Sequence, residues 1–234
     1  MGSGHADAAG DVDIGGRLQA VGIALLIGAA GYLFVQAAST VGLGFLGYAL
    51  GMPIVAGGYL LASGQDRSFV DVTIPSLRDL GYVVGGFVGL LALLIVLSQA
   101  YQLIGTTPAE HGIQDSASQD PQLLLYLIPI AIFLIGPYEE LIYRNLVQKH
   151  LYRVFSRRNA ILVASGIFAL FHYQAYATGS VTSLVVALVT VFALSLVLGW
   201  LYARTDNVVV PALVHGVYNA LVFGALYVNL TGGI

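Results

Sequence analysis

The stretch "LLLYLIPIAIFLIGPYEELIYR" runs from Leu123 to Arg144. An almost wholly apolar run ends in two adjacent glutamates, Glu139 and Glu140, with Arg144 four positions after the second. The chain has twelve acidic side chains, of which only three are Glu, so two of the three stand side by side at the end of an apolar segment. Carboxylates near a bilayer core are costly and need a partner or a task.

The rest of the chain has the same apolar character. It is 58% hydrophobic and 9% charged over 234 residues, against roughly 25% charged in soluble domains. Seven apolar segments can be read, at about 18–38, 41–63, 80–101, 122–142, 159–176, 182–203 and 207–229. A crossing takes about 20 residues, and the fifth segment is the shortest. In lipid the backbone must satisfy itself, so these segments are expected to be helices. The strict apolar–polar alternation of a membrane barrel is absent. The expected fold is an all-α polytopic transmembrane bundle of about seven spans. A polar, acidic tail occupies 1–17, and 18–234 forms a single helical domain.

Basic residues set an orientation. Arg17 precedes the first segment, and Arg67 and Arg78 lie between the second and third. Lys149, Arg153, Arg157 and Arg158 lie between the fourth and fifth, and Arg204 between the sixth and seventh. The intervening loop "GTTPAEHGIQDSASQDPQ", 105–122, has three acidic residues and no basic one. By the positive-inside rule the N-terminus of this integral protein of the cell membrane is cytoplasmic. The chain has no Cys, which removes thiol chemistry and thiolate ligands. A net charge of −3 offers nothing to nucleic acid. Gly81, Gly85 and Gly89 mark a small-residue face expected to pack closely against another helix. Thr182, Ser183, Thr190 and Ser195 are expected to bond their own helix backbone.

The ionisable groups within apolar segments are confined to the fourth, fifth and seventh: Glu139, Glu140 and Arg144, then His172, then His215, with Asn219 four positions further on. Such groups face the bundle interior and mark functional sites. With a rise of ~1.5 Å per residue, Glu139 and His172 both lie roughly 24–26 Å along their helices from the turn at Ser156–Arg158. A hairpin at that turn sets them side by side. His215, at roughly 16 Å from Arg204, is shallower and needs a tilt to join them. Glu140 and Arg144 share a helix face and can pair. Glu139, rotated by about 100°, is left to meet another helix. Phe168 and His172 share a face, as do His215 and Asn219. A carboxylate, two imidazoles and an amide are the parts for activating a water and holding an oxyanion.

The set Glu139-Glu140-x-x-x-Arg144, Phe168-x-x-x-His172 and His215-x-x-x-Asn219 resembles the motifs of the CAAX prenyl protease type II family, the CPBP or Abi group of intramembrane proteases. All three motifs are present in order over 139–219. The resemblance implies a helical intramembrane endopeptidase with a cavity open to the cytoplasm. It implies that Glu139 and His172 activate water and that His215 and Asn219 stabilise the oxyanion, with Glu140, Arg144 and Phe168 in support. It also implies a peptide or lipidated-protein substrate met within membrane lipid. Members often have eight spans. No cofactor is expected, since no HExxH is present, although Glu139, His172 and His215 could together ligate zinc. Two other classes use the same residues: a proton- or cation-coupled transporter, and a non-catalytic immunity or interaction protein. A transport path would carry polar groups through the full thickness, and the first three segments hold no Asp, Glu, Lys, Arg or His.

Overall fold

The computed structural model describes residues 14–232. Residues 1–13, most of the expected tail, lie outside the described residues. The first helix, α1 (Ile14–Thr40), begins four residues earlier than read from hydropathy. It is followed by α2 (Leu46–Ser63), α3 (Leu77–Leu103) and a short α4 (Ile113–Gln119). Next come α5 (Gln122–Leu151), α6 (Arg157–Phe171), a four-residue α7 (Tyr173–Tyr176), α8 (Val181–Thr205) and α9 (Val209–Leu230).

Local signals place the boundaries. Ser76 caps α3 in a reciprocal capping box with Asp79. Ser156 caps α6 and Ser180 caps α8, each accepting from a backbone N–H in the first turn. Gly64 closes α2 at φ 65°, where a side chain would be strained.

Six helices are long and apolar enough to cross a membrane: α1, α2, α3, α5, α8 and α9. The fifth expected segment is divided. At 15 residues, α6 covers only about 22 Å, short of a hydrocarbon core of about 30 Å. The chain turns at His172, makes the short α7 and then continues irregularly to Ser180. No eighth crossing segment occurs among the described residues.

The chain still passes between two ends. At one end Arg157 pairs with Asp206 at 3.0 Å, Lys149 with Asp71 at 2.8 Å, and Val208 N donates to Asp71 O. At the other, Ala109 N donates to Ser183 O, Gly112 N to Ala175 O, and Thr178 Oγ1 to Glu110 O. The first end carries the basic loops and the second the acidic loop. At the basic end a buried network closes the bundle. Asn145 Nδ2 donates to Phe69 O and to the Tyr202 hydroxyl, which donates to Asp71 at 2.6 Å. Buried polar groups require this kind of satisfaction.

The expected packing face of α3 is corrected. A Cβ on Gly81, Gly85 or Gly89 would meet nothing within 4 Å, whereas one on Gly86 would sit 2.6 Å from Leu201 Cδ1. The buried stripe of α3 runs through Gly86 and Leu90, because the helix meets α8 and α9 on that side and offers the other to lipid.

Candidate active site

The backbone of α5 departs from the α-helix twice, with π-helical turns at Ala131–Ile135 and Leu141–Gln148 on either side of Gly136–Glu140. Such wide turns recur at functional sites because they re-aim side chains. They also put more residues into a given length of helix. That brings Glu139 closer to the basic end than an ideal rise implies and reduces its depth mismatch with His215.

Two glycines bring α5 against α9. A Cβ on Gly136 would lie 2.8 Å from Ala212 O, and one on Gly216 would lie 2.8 Å from both Ala131 O and Ile132 Cα. The backbones touch, and this contact carries Glu140 to His215. Glu140 Oε1 lies 2.9 Å from His215 Nδ1, while Glu140 Oε2 accepts from Arg144 Nε at 2.8 Å. Both Glu140 and Arg144 are fully buried. Arg144 also donates from Nη2 to Ser195 Oγ at 2.8 Å and sits over the Phe168 ring. The structure thus brings Glu140 and Arg144 together as the spacing predicts, and gives Glu140 a second partner that the spacing alone did not show. Ser183 and Thr190 bond their own helix. Ser195 instead receives Arg144, because it points into the bundle where a buried guanidinium needs an acceptor.

Glu139 faces away from that pair. Its Oε2 is 3.9 Å from His172 Nε2 and 3.8 Å from His215 Nε2. These separations exceed a direct hydrogen bond. His172 Nδ1 lies 2.9 Å from Phe168 O. A carbonyl can only accept, so Nδ1 donates, and in the neutral ring Nε2 is left as the acceptor facing Glu139. Phe168 packs against His172 with centroids 4.3 Å apart and rings tilted by 38°, and meets His215 edge-on at 5.9 Å. The motif phenylalanine therefore wedges both imidazoles and lies under Arg144. Asn219 lines the same cavity as Glu139, His172 and His215, and no hydrogen bond ties its amide among the described residues.

Two cavities meet at this point. The larger, about 520 Å³, is mostly apolar and lies between α3, α5, α8 and α9. The smaller, about 300 Å³, lies against α1, where Tyr32 donates to Gln174 and Gln36 reaches the same side-chain oxygen at 3.1 Å. Glu139, His172, Tyr48 and His111 line both. Sequence reasoning missed Gly136, Gly216, Ser195 and the polar cluster at Gln174. Gly136 and Gly216 each lie within four residues of a motif residue, but no sequence signal sets them apart from the other glycines. Among the described residues no group of three or more His, Cys, Asp or Glu side chains is arranged to hold a metal ion.

Residues 121–221 match the family model of the type II CAAX prenyl endopeptidase, Rce1-like. Over these residues, under half of the chain, the sequence is similar to the Rce1-like family. The Rce1-like segment contains Glu139, Glu140, Arg144, Phe168, His172, His215 and Asn219, and bears out the resemblance read from the motifs. The match suggests an intramembrane protease activity of the CAAX type. No curated protein and no solved structure matches the chain.

The exposed lining residues of the cavities, Pro108, His111, Gln174 and Val222, all lie toward the acidic-loop end. No residue of the basic end, from 64–76, 152–158 or 203–208, lines either one.

Proposed function

We propose that the protein is a metal-independent intramembrane endopeptidase that hydrolyses a peptide bond beside a hydrophobic or prenylated segment. The observation that carries this reading is the convergence of His172 Nε2 and His215 Nε2 on one oxygen of Glu139 at the meeting point of the two cavities. Gaps of 3.8 and 3.9 Å suit a single water touching two groups at once.

In this reading the water donates to Glu139 and to the free Nε2 of His172. Glu139 accepts a proton as the water oxygen attacks the scissile carbonyl carbon, and negative charge develops on the carbonyl oxygen. His215 and the Asn219 amide donate to that oxygen. For His215 to donate from Nε2 while Nδ1 faces the Glu140 carboxylate, both ring nitrogens carry protons, and Glu139 and Glu140 together balance the charges of His215 and Arg144. The proton taken by Glu139 passes to the leaving amine as the C–N bond breaks. Preorganised donors of this kind supply the largest share of many rate enhancements. The apolar cavity is of ordinary size for a ligand, and its lining suits a lipid tail or an apolar peptide side chain.

Conduction fits less well, because the cavities reach one end of the bundle and the polar network seals the other. The test is purified protein in detergent with prenylated and unprenylated peptides, with and without a strong chelator. Cleavage that survives chelation and vanishes in His172→Ala supports the reading. Stoichiometric zinc with chelator-sensitive cleavage assigns Glu139, His172 and His215 to a metal instead. Absence of cleavage, together with Glu139-dependent proton flux in liposomes, overturns it in favour of a transporter.

A further inference from the structure

Among the described residues, three buried side-chain polar atoms have no hydrogen-bond partner: Arg144 Nη1, Gln148 Oε1 and Ser165 Oγ. All three residues are fully buried. Leaving such an atom unpaired costs more than a made hydrogen bond returns, and buried polar atoms are normally satisfied.

The three atoms are gathered at one place. A Cβ on Gly199 would lie 2.7 Å from Gln148 Oε1, 3.0 Å from Ile161 Cγ2 and 3.5 Å from Arg144 Nη1. Two of the atoms, both from α5, therefore face the bare Cα of Gly199 on α8, and Ile161 of α6 closes the same spot. Ser165 follows Ile161 by four and shares its helix face. Phe168, three residues further on, lies under the Arg144 guanidinium. Other helical hydroxyls in this chain serve their own backbone: Ser39, Ser63, Thr190 and Thr205 each donate to the carbonyl four residues back. Ser165 does not, and its hydroxyl is turned into the bundle. Reversing the Gln148 amide does not remove the problem. Its Nε2 donates to Gly199 O at 2.9 Å, and with the ends exchanged two carbonyl oxygens would face each other.

The chemistry of the three atoms selects what fits between them. Arg144 Nη1 only donates, Gln148 Oε1 only accepts, and the Ser165 hydroxyl does either. A cation would be repelled by Arg144, and an anion would meet the lone pairs of Gln148 Oε1. A neutral molecule that donates and accepts completes the set. Buried waters make about three hydrogen bonds of this kind, and the missing Cβ of Gly199 leaves room for one.

We propose that a single internal water, held over Gly199 by Arg144 Nη1, Gln148 Oε1 and Ser165 Oγ, locks the guanidinium that holds Glu140. Arg144 is then fixed from three helices: by Glu140 and Gln148 of α5, by Ser165 of α6 through the water, and by Ser195 of α8. Glu140 Oε1 is the contact of His215 Nδ1, so Gln148, Ser165 and Gly199 act through Arg144 as positioning residues. The water does not rest on the protease reading; its effect on rate does.

An experimental structure of the full chain, at a resolution that shows ordered water, reads the site directly. The expected result is a peak within about 2.7–3.2 Å of all three atoms. No peak, with Arg144 Nη1 bonded directly to Gln148 Oε1, overturns the proposal. So does a peak that takes on the anomalous signal of bromide after a bromide soak. Peptide cleavage by variants supplies the second readout. Gly199→Ala fills the place of the water. It touches no residue that lines either cavity, so it is expected to lower kcat by at least about tenfold, toward the ~10²-fold of a 1 Å misplacement, with KM little changed. Gly199→Ser adds the same Cβ with a hydroxyl that stands in for the water, and is expected to recover part of that loss. Packing alone predicts that the larger serine does no better than alanine, and that result overturns the positioning role. Gly166→Ala, beside Ser165 and with nothing within 4 Å of its Cβ, is expected to cleave like the parent. Should the Gly199 variants fail to fold, Ser165→Ala removes one partner of the water without adding volume. It is expected to weaken the peak and lower kcat, and an unchanged peak with unchanged kcat overturns the role of Ser165. A chain that shows the peak and cleaves no peptide supports the water and counts against the protease reading.

Discussion

Gly216→Ala tests whether backbone contact between α5 and α9 sets the site. The added Cβ would lie 2.8 Å from Ala131 O and from Ile132 Cα. Both are main-chain atoms of a π-helical turn, so no rotamer change relieves the clash. Restoring ordinary contact requires the helices to separate by about 0.6 Å in a tightly packed interior. Overpacking of this kind costs about 1–3 kcal/mol. The Glu140–His215 contact of 2.9 Å lies one residue from the clash. Lengthened by the same amount it reaches about 3.5 Å, beyond a good hydrogen bond. A misplacement approaching 1 Å costs about 10²-fold in rate. The expected outcome is a lower melting temperature in detergent together with a roughly hundredfold loss of peptide cleavage. Gly224→Ala is the control, on the same helix with only Ile128 Cδ1 at 4.0 Å. It is expected to match the parent in both assays. If Gly216→Ala melts and cleaves like Gly224→Ala, the helix contact does not position His215 and the reasoning fails.

Glu139→Gln is expected to abolish cleavage with little change in melting, because Glu139 pairs with no cation at direct hydrogen-bond distance. Glu140→Gln should lower both, since it leaves Arg144 buried without its charge partner, at a cost of about 3–5 kcal/mol, and weakens the hold on His215; unchanged melting would refute this. Asn219→Ala should leave a weak, measurable rate, down by about 10²–10³, and full activity would remove Asn219 from the oxyanion site. Tyr202→Phe removes the hydroxyl between Asn145 and Asp71 and should destabilise by about 1–3 kcal/mol. Per-molecule cleavage should be retained, as the sealed end is remote from Glu139, and a large loss would show that the two ends are coupled.

The sequence by itself determined the fold class and pointed to the residues of the candidate site. An apolar composition forces helices that satisfy their own backbone. The few buried ionisable residues then had to gather, because none is stable alone in lipid. The i,i+4 spacing of Glu140 and Arg144 specified their pairing, since neighbours on a helix face are fixed by the helix itself. Tertiary structure decided everything that depends on how one helix meets another. Gly136 and Gly216 look like any other glycines in the chain until two backbones are seen to touch there. The π-helical turns leave no trace in hydropathy. The second role of Glu140, the turn of Ser195 toward Arg144 and the short α7 with the irregular chain beyond it all depend on crossing angles and local helix breaks that period and composition do not encode. The direction in which the chamber opens is of the same kind. Charge counting can say which loops share a side, but only packed side chains show which end of the bundle is filled and which is hollow.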